Sequence, residues 1–104
     1  MRRAAAVAAP VLLRFPAQEA RAESWGRLRE LTASSARLST QAALSRRDRV
    51  LVCFELGGER FKDLPAAVEW VETDADGFFS VELRFSDEVE KRRLARALLD
   101  ALAR

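Results

Sequence analysis

Residues 66–85, AAVEWVETDADGFFSVELRF, decide the fold of this chain. Two runs rich in valine and aromatic residues flank residues 73–77, whose small and polar residues and glycine are typical of a short hairpin loop. In the second run, apolar residues alternate with mostly polar ones at a period of two, which is typical of a strand with one face on a core. The apolar row consists of Phe79, Val81, Leu83 and Phe85. The stretch therefore predicts a β-hairpin, with Trp70 of its first arm in the core.

Four further runs upstream of the hairpin have the composition of strands. They are residues 11–15, 25–32, 36–40 and 49–56. Residues 25–32 are nearly as compatible with a helix, whereas residues 49–56 alternate clearly and carry Cys53 as a small buried apolar residue. Gly57 and Gly58 end the fourth run, and we expect residues 59–65 to form a polar connection to the hairpin.

The period changes from two to about 3.6 after the hairpin, which predicts a C-terminal helix over residues 87–103. Acidic residues at its start are favoured by the helix dipole. Its apolar band contains Leu94, Leu98, Leu99 and Leu102. Leu98 and Leu99 differ by about 100° of helix rotation, so the band is wider than the face that packs on the strands. We expect the remaining apolar surface to bind a protein partner or a second copy of the chain.

Composition limits the function classes. The 104 residues fit one domain, and the chain has 18 basic residues, 16 acidic residues, one cysteine and no histidine. Without histidine and with one cysteine, the chain lacks the residues of ordinary zinc sites and of histidine-dependent catalytic triads. Its small net charge disfavours a nucleic-acid binder. No apolar segment reaches the length that spans a membrane, and we expect a cytoplasmic protein. We divide the chain into a flexible N-terminal arm, residues 1–9, and a domain, residues 10–104.

The succession of elements, and the sequence from about Glu30 onward, resemble the PilZ domain, a bacterial β-barrel domain, and the resemblance covers roughly residues 10–104. That family typically carries a D/N-x-S-x-x-G motif at a strand turn, and the matching text here is ELTASS at residues 30–35. The lead into the next strand matches at residues 44–50, LSRRDRV. The resemblance implies a mainly β fold, a small antiparallel barrel of about six strands followed by one C-terminal α-helix.

Members of the family that bind cyclic di-GMP also carry an R-x-x-x-R arm before the first strand. Paired guanidinium groups suit phosphates and guanine because they are planar and permanently charged donors. Arg2 and Arg3 stand at about this place, but Ala6 and Val7 occupy the positions four residues on. The second arginine of the arm is missing.

The turn motif departs from the family pattern at three positions. Glu30 replaces the usual aspartate or asparagine, Thr32 replaces serine, and Ser35 stands where the family has glycine. Together with the incomplete arm, these changes imply weak or no binding of cyclic di-GMP. The resemblance then implies a non-enzymatic binding or adaptor module without a cofactor. It would act by protein contact in bacterial motility or signalling, such as type IV pilus regulation.

Two alternatives remain open. The first is a functional cyclic di-GMP receptor that uses Arg2, Arg3, Glu30, Thr32 and Ser35 despite the substitutions. The second is an unrelated enzyme or nucleic-acid binder, which the absence of histidine and of a basic stripe disfavours.

Overall fold

Six antiparallel strands form a closed barrel, and one α-helix follows them. The structure is a computed structural model and describes residues 5–16 and 20–102. The strands are β1 Ala5–Arg14, β2 Ser24–Leu31, β3 Ser35–Thr40, β4 Arg49–Leu56, β5 Glu59–Thr73 and β6 Phe79–Phe85, and the helix α1 spans Glu88–Leu102. Around the barrel the strands follow the order β1-β2-β3-β6-β5-β4. The predicted fold class is confirmed, and the run predicted over residues 25–32 forms the strand β2, not the alternative helix.

The hairpin that decides the fold is present as β5 and β6. The two strands pair from Thr73 opposite Phe79 back to Ala66 opposite Phe85. A single 3₁₀ turn, Ala75–Gly77, joins them, with positive φ angles at aspartate and glycine positions that tolerate this conformation. The predicted inward row is partly to fully buried: Val81, Leu83 and Phe85 lie in the core, and Phe79 packs against it.

The prediction of a polar connection over residues 59–65 is wrong, because these residues form the first half of β5. Gly57 and Gly58 adopt φ angles of 58° and 84°, the left-handed conformation that a two-residue hairpin turn requires. Phe61 and Leu64 point inward and are buried, while charged residues between them face outward. Because its outward-facing residues are charged, this half of the strand has an amino-acid composition typical of a loop.

Trp70 lies on the barrel surface with 40% of its area exposed, so its predicted core position is wrong. The pairing between β5 and β6 shifts register between Val68 and Trp70, where Glu69 is an extra residue. Such a β-bulge breaks the alternation of faces, so the residue two positions after the buried Val68 turns outward.

The first strand begins at Ala5, within the stretch that we assigned to a flexible arm. Ala5 lies opposite Leu31 and Ala6 opposite Glu30, so residues 5–9 belong to the barrel wall. The run of alanines in this segment has no alternation of polarity, which removes the signal on which strand prediction depends.

Helix α1 lies against the β4–β5 hairpin. Its first turn is capped by Asp87, whose carboxylate accepts the backbone N–H of Glu90 at 2.9 Å. Arg93 reaches β5, where its Nε lies 3.2 Å from the Glu59 carboxylate and its guanidinium lies 4.2 Å from the centre of the Phe61 ring. The helix thereby adds its own buried residues to the core. These are Leu94, Ala97 and Leu98.

Candidate functional site

The turn between β2 and β3 is closed by its own hydroxyl groups. Thr32 Oγ1 accepts the backbone N–H groups of Ser34 at 3.1 Å and Ser35 at 2.9 Å, and it lies 2.8 Å from Ser35 Oγ. The Thr32 N–H donates to the Ser35 carbonyl at 2.8 Å. Ser35 is not among the positive-φ residues, so this position does not use the conformational freedom of glycine. The Ser34 hydroxyl is buried without a hydrogen-bond partner among the described residues.

The outer face beside this turn carries an arginine between two carboxylates. The Arg37 guanidinium lies 3.7 Å from the Glu30 carboxylate and 3.3 Å from the Glu82 carboxylate. It also lies 5.7 Å from the centre of the Trp70 ring. Arg37 and its two carboxylates line a shallow groove of about 90 Å³ together with Thr32. Because two carboxylates share one guanidinium, this groove has a net negative charge.

The predicted ligand residues are only partly brought together by the fold. Glu30, Thr32 and Ser35 line the same groove, whereas Arg2 and Arg3 lie outside the described residues. The start of β1 nevertheless runs beside the groove, because Ala6 lies opposite Glu30.

The leucine band on α1 divides between the core and the surface. Leu94 and Leu98 are buried, so the prediction that they contact a partner is wrong. Leu99 is 69% exposed, and the side chain of Leu102 lies outside the described part of the chain. Leu99 shares an exposed stripe of the helix with Val89, Arg92 and Arg96.

Sequence reasoning missed a polar cluster on the outer face of β1, β4 and β5. Arg14 donates two hydrogen bonds to the Asp63 carboxylate, at 2.9 and 3.0 Å, and its Nε lies 3.0 Å from the Glu23 carboxylate. Asp63 has a φ of 53° in a bulge of β5, and its backbone N–H donates to Cys53 Sγ at 3.3 Å. The one available signal was an aspartate inside a strand, a residue type that tolerates this backbone conformation.

Burial raises the pKa of the Cys53 thiol above its ordinary value, and the nearby Asp63 carboxylate adds to the rise. The Asp63 backbone N–H and the Arg14 charge act in the opposite direction. Cys53 therefore remains a thiol at neutral pH, which makes it a slow nucleophile.

Within residues 5–16 and 20–102, no group of three or more histidine, cysteine or acidic side chains is arranged to hold a metal ion. No helix in the same ranges has the length and apolar character needed to cross a membrane.

The sequence matches no protein-family model and no curated protein. Among solved structures, the PilZ domain with c-di-GMP of YcgR from Escherichia coli superposes with a TM-score of 0.75 at 12% identity, over 98% of this chain and 90% of that one. The chain has the fold of a PilZ domain. The PilZ domain of CeSA from a cellulose-synthesizing bacterium gives a TM-score of 0.64 at 18% identity, over 92% of this chain and 97% of that one.

The PilZ fold also occurs as part of longer chains that resemble this one. The inhibitor of motility MotI/DgrA from Bacillus subtilis superposes with a TM-score of 0.70 at 11% identity over the whole of this chain. The present chain spans 51% of the MotI/DgrA chain. The resemblance to the PilZ domain that the sequence indicates is thus confirmed for the fold.

Proposed function

We propose that this chain is a non-enzymatic PilZ-like module that acts by binding another protein, with weak or no binding of cyclic di-GMP. One observation carries the proposal: the arginine beside the turn motif, Arg37, is neutralised by Glu30 and Glu82. Cyclic di-GMP carries two phosphates, and a phosphate that enters this groove would meet two carboxylates at short range. Repulsion between like charges disfavours such a ligand.

The turn itself supports the same proposal. The hydroxyls of Thr32 and Ser35 are satisfied by each other and by the turn backbone, so a ligand would have to replace these contacts. The proposed setting, bacterial motility or signalling, rests on structural neighbours. One of them is described as an inhibitor of motility, and another as a PilZ domain with c-di-GMP.

One observation favours the alternative of a cyclic di-GMP receptor. Because Ala6 lies opposite Glu30, the described part of β1 begins beside the turn motif. Arg2 and Arg3 precede Ala5 by three and two residues in the sequence. The two functions therefore make opposite predictions for one measurement.

Titration of the full chain with cyclic di-GMP in a calorimeter tests the proposal. We expect a Kd weaker than about 100 μM, equivalent to less than about 5.5 kcal/mol of binding free energy. A Glu30→Gln/Glu82→Gln variant removes both carboxylates and is expected to bind more tightly than the wild type. The matched control is Glu55→Gln, since Glu55 is exposed on a different strand.

Micromolar binding by the wild type that is lost in an Arg2→Ala/Arg3→Ala variant would overturn the proposal and establish the receptor function. Micromolar binding that this variant retains would overturn it as well, and would place the ligand elsewhere on the barrel.

Within this proposal, the exposed stripe of α1 is a candidate surface for self-association. Leu99 is the exposed leucine of the stripe, and Arg92 and Arg96 lie beside it. Sedimentation velocity of the wild type and of a Leu99→Glu variant measures its role. A wild type that remains monomeric at high concentration would remove self-association through the helix.

A further inference from the structure

The barrel is closed by a short seam between β1 and β4. Of the ten residues of β1, the pairing with β4 involves Leu12, Leu13 and Arg14, which lie opposite Cys53, Val52 and Leu51. Both strands continue beyond this point, β1 toward Ala5 and β4 toward Leu56, without further pairing between them.

Pro10 gives a physical reason for the end of the seam. Proline has no backbone N–H and is found in sheets at edge positions or bulges. It lies two residues beyond Leu12, the last residue of β1 that pairs with β4. The backbone edges of the two strands therefore separate and leave hydrogen-bonding groups that no neighbouring strand uses.

A cleft of about 370 Å³ occupies the place where the strands separate, and we call it the seam cleft. Its walls include Pro10 and the side chains of Leu12, Trp25 and Cys53, with Phe54 on β4. Leu12 lies opposite Trp25 on one side and opposite Cys53 on the other. Directly opposite residues of antiparallel strands share a face, so these three side chains form one apolar row across β2, β1 and β4.

Trp25 is the most unusual member of this row because 66% of its area is exposed. A side chain of this size has a large apolar area to bury, and tryptophan is enriched among the residues that dominate binding energy at protein interfaces. The exposed indole next to an apolar cleft points to a contact with another molecule.

The charges around the seam cleft define the kind of partner. Lys62, on its rim, forms no ion pair with a described residue, and neither does Arg27, which neighbours Trp25 on β2. The other two charged residues that line the cleft, Glu55 and Arg60, pair with each other at 3.4 Å. Asp63 is not part of the lining and shares Arg14 with Glu23. The cleft is thus apolar at its centre with one unpaired cation, Lys62, on its rim, and Arg27 lies beside Trp25 in a neighbouring pocket. Both cations complement acidic residues.

We infer that the seam cleft binds an extended, acidic segment of a partner protein. The segment adds a short strand to the open edge of β4, and one of its apolar side chains packs on the row of Leu12, Trp25 and Cys53. Its acidic side chains face Lys62 and Arg27. This is recognition by β-strand addition, in which the backbone supplies affinity and alternate side chains supply specificity. The inference rests on the proposed function of protein contact and names its surface.

A display library of random ten-residue peptides, selected on the full chain, tests the inference. We expect enriched peptides in which apolar residues alternate with polar ones and at least two residues are acidic. Synthetic copies of these peptides are then measured by calorimetry. Trp25→Glu and Lys62→Glu are each expected to weaken binding by about tenfold or more, equivalent to about 1.4 kcal/mol.

Two matched controls lie on the exposed stripe of α1. Leu99→Glu makes the same kind of change as Trp25→Glu, and Arg92→Glu changes the charge as Lys62→Glu does. Both are expected to leave peptide affinity within about twofold, well under 1.4 kcal/mol. Bound peptide is also expected to slow the alkylation of Cys53, the only cysteine of the chain, and prior alkylation is expected to prevent binding.

Several outcomes would overturn the inference. They are a library that yields no enriched peptide, enriched peptides that are basic, and peptides whose binding Leu99→Glu abolishes while Trp25→Glu has no effect. The last result would move the partner to the helix and leave the proposed function intact. A wild-type dimer that Trp25→Glu dissociates would assign the seam cleft to a second copy. Micromolar binding of cyclic di-GMP, by contrast, would overturn the proposed function whatever the peptides do.

Discussion

Two leucines on α1 that the sequence places in one apolar band are expected to differ sharply in their effect on stability. Leu94 is fully buried, and Leu99 is 69% exposed. Replacement of Leu94 by alanine removes three carbon atoms from the core. At about 0.8 kcal/mol for each buried methylene, the transfer cost is about 2.4 kcal/mol, and the remaining cavity brings the total to about 3 kcal/mol.

The matched change, Leu99→Ala, is expected to cost less than about 0.5 kcal/mol, because little buried area is lost and alanine favours a helix. Thermal unfolding followed by circular dichroism measures both variants. For a chain of this size, about 3 kcal/mol corresponds to a fall in Tm of roughly 12 to 20 °C. Equal shifts in the two variants, or a larger one for Leu99→Ala, would refute the placement of the helix and with it the exposed stripe.

Three further predictions concern single positions. Gly26→Ala would place a methyl group 2.6 Å from the Ser39 carbonyl oxygen on β3. We therefore expect the free energy of unfolding, measured in urea, to fall by about 1 to 3 kcal/mol. An unchanged urea midpoint would contradict this contact. Asp87→Ala removes the cap of α1 and is expected to cost about 1 kcal/mol in the same assay, whereas no change would argue against the cap. The pKa of Cys53 is raised by burial and by the Asp63 carboxylate, so the rate of its alkylation is expected to rise in alkaline solution. Asp63→Asn removes the carboxylate charge and is expected to move the pH profile of the alkylation rate to lower pH. A profile that stays in place would show that the carboxylate does not act on the thiol.

Strands whose two faces differ in polarity could be predicted from the sequence. β4 was predicted with its observed bounds, residues 49–56, because its apolar residues alternate over the whole strand. β6 was predicted for the same reason. The first half of β5 was missed because its outward face is charged, and residues 5–9 were missed because alanine has little preference for either face. In both cases, pairing with a neighbouring strand formed the element without a local signal.

β-Bulges account for the wrong prediction on Trp70 and for the unforeseen spacing in β2. In β2, Leu28 and Leu31 are both buried although they are three residues apart, because the register shifts between Leu28 and Glu30. A bulge depends on how two strands fit together, and the sequence of one strand does not reveal it. The outward position of Trp25, in contrast, follows from its place on the polar face of the same strand.

The location of the turn motif could be predicted, but its chemistry could not. Arg37 and Glu82 are 45 residues apart in sequence and become neighbours through the pairing of β3 with β6. Glu30, one of the three substitutions in the motif, supplies a second carboxylate to the guanidinium of Arg37. Its effect on the charge of the groove therefore depends on the pairing of Arg37 with Glu82. Relative to asparagine, the substitution therefore adds a negative charge to the groove, and relative to aspartate it lengthens the side chain that carries the charge.

The interior of the barrel is filled by side chains, so a partner has to bind on its outer surface. Two parts of that surface differ in how their charges are balanced. Beside the turn motif, the arginine is shared by two carboxylates, and the indole of Trp70 covers it in part. At the seam cleft, the cation of Lys62 is left unbalanced next to the exposed indole of Trp25. Binding energy comes from surfaces whose charge and apolar area are not yet satisfied within the chain, which favours the seam cleft over the turn motif as the surface for the partner contact that we propose.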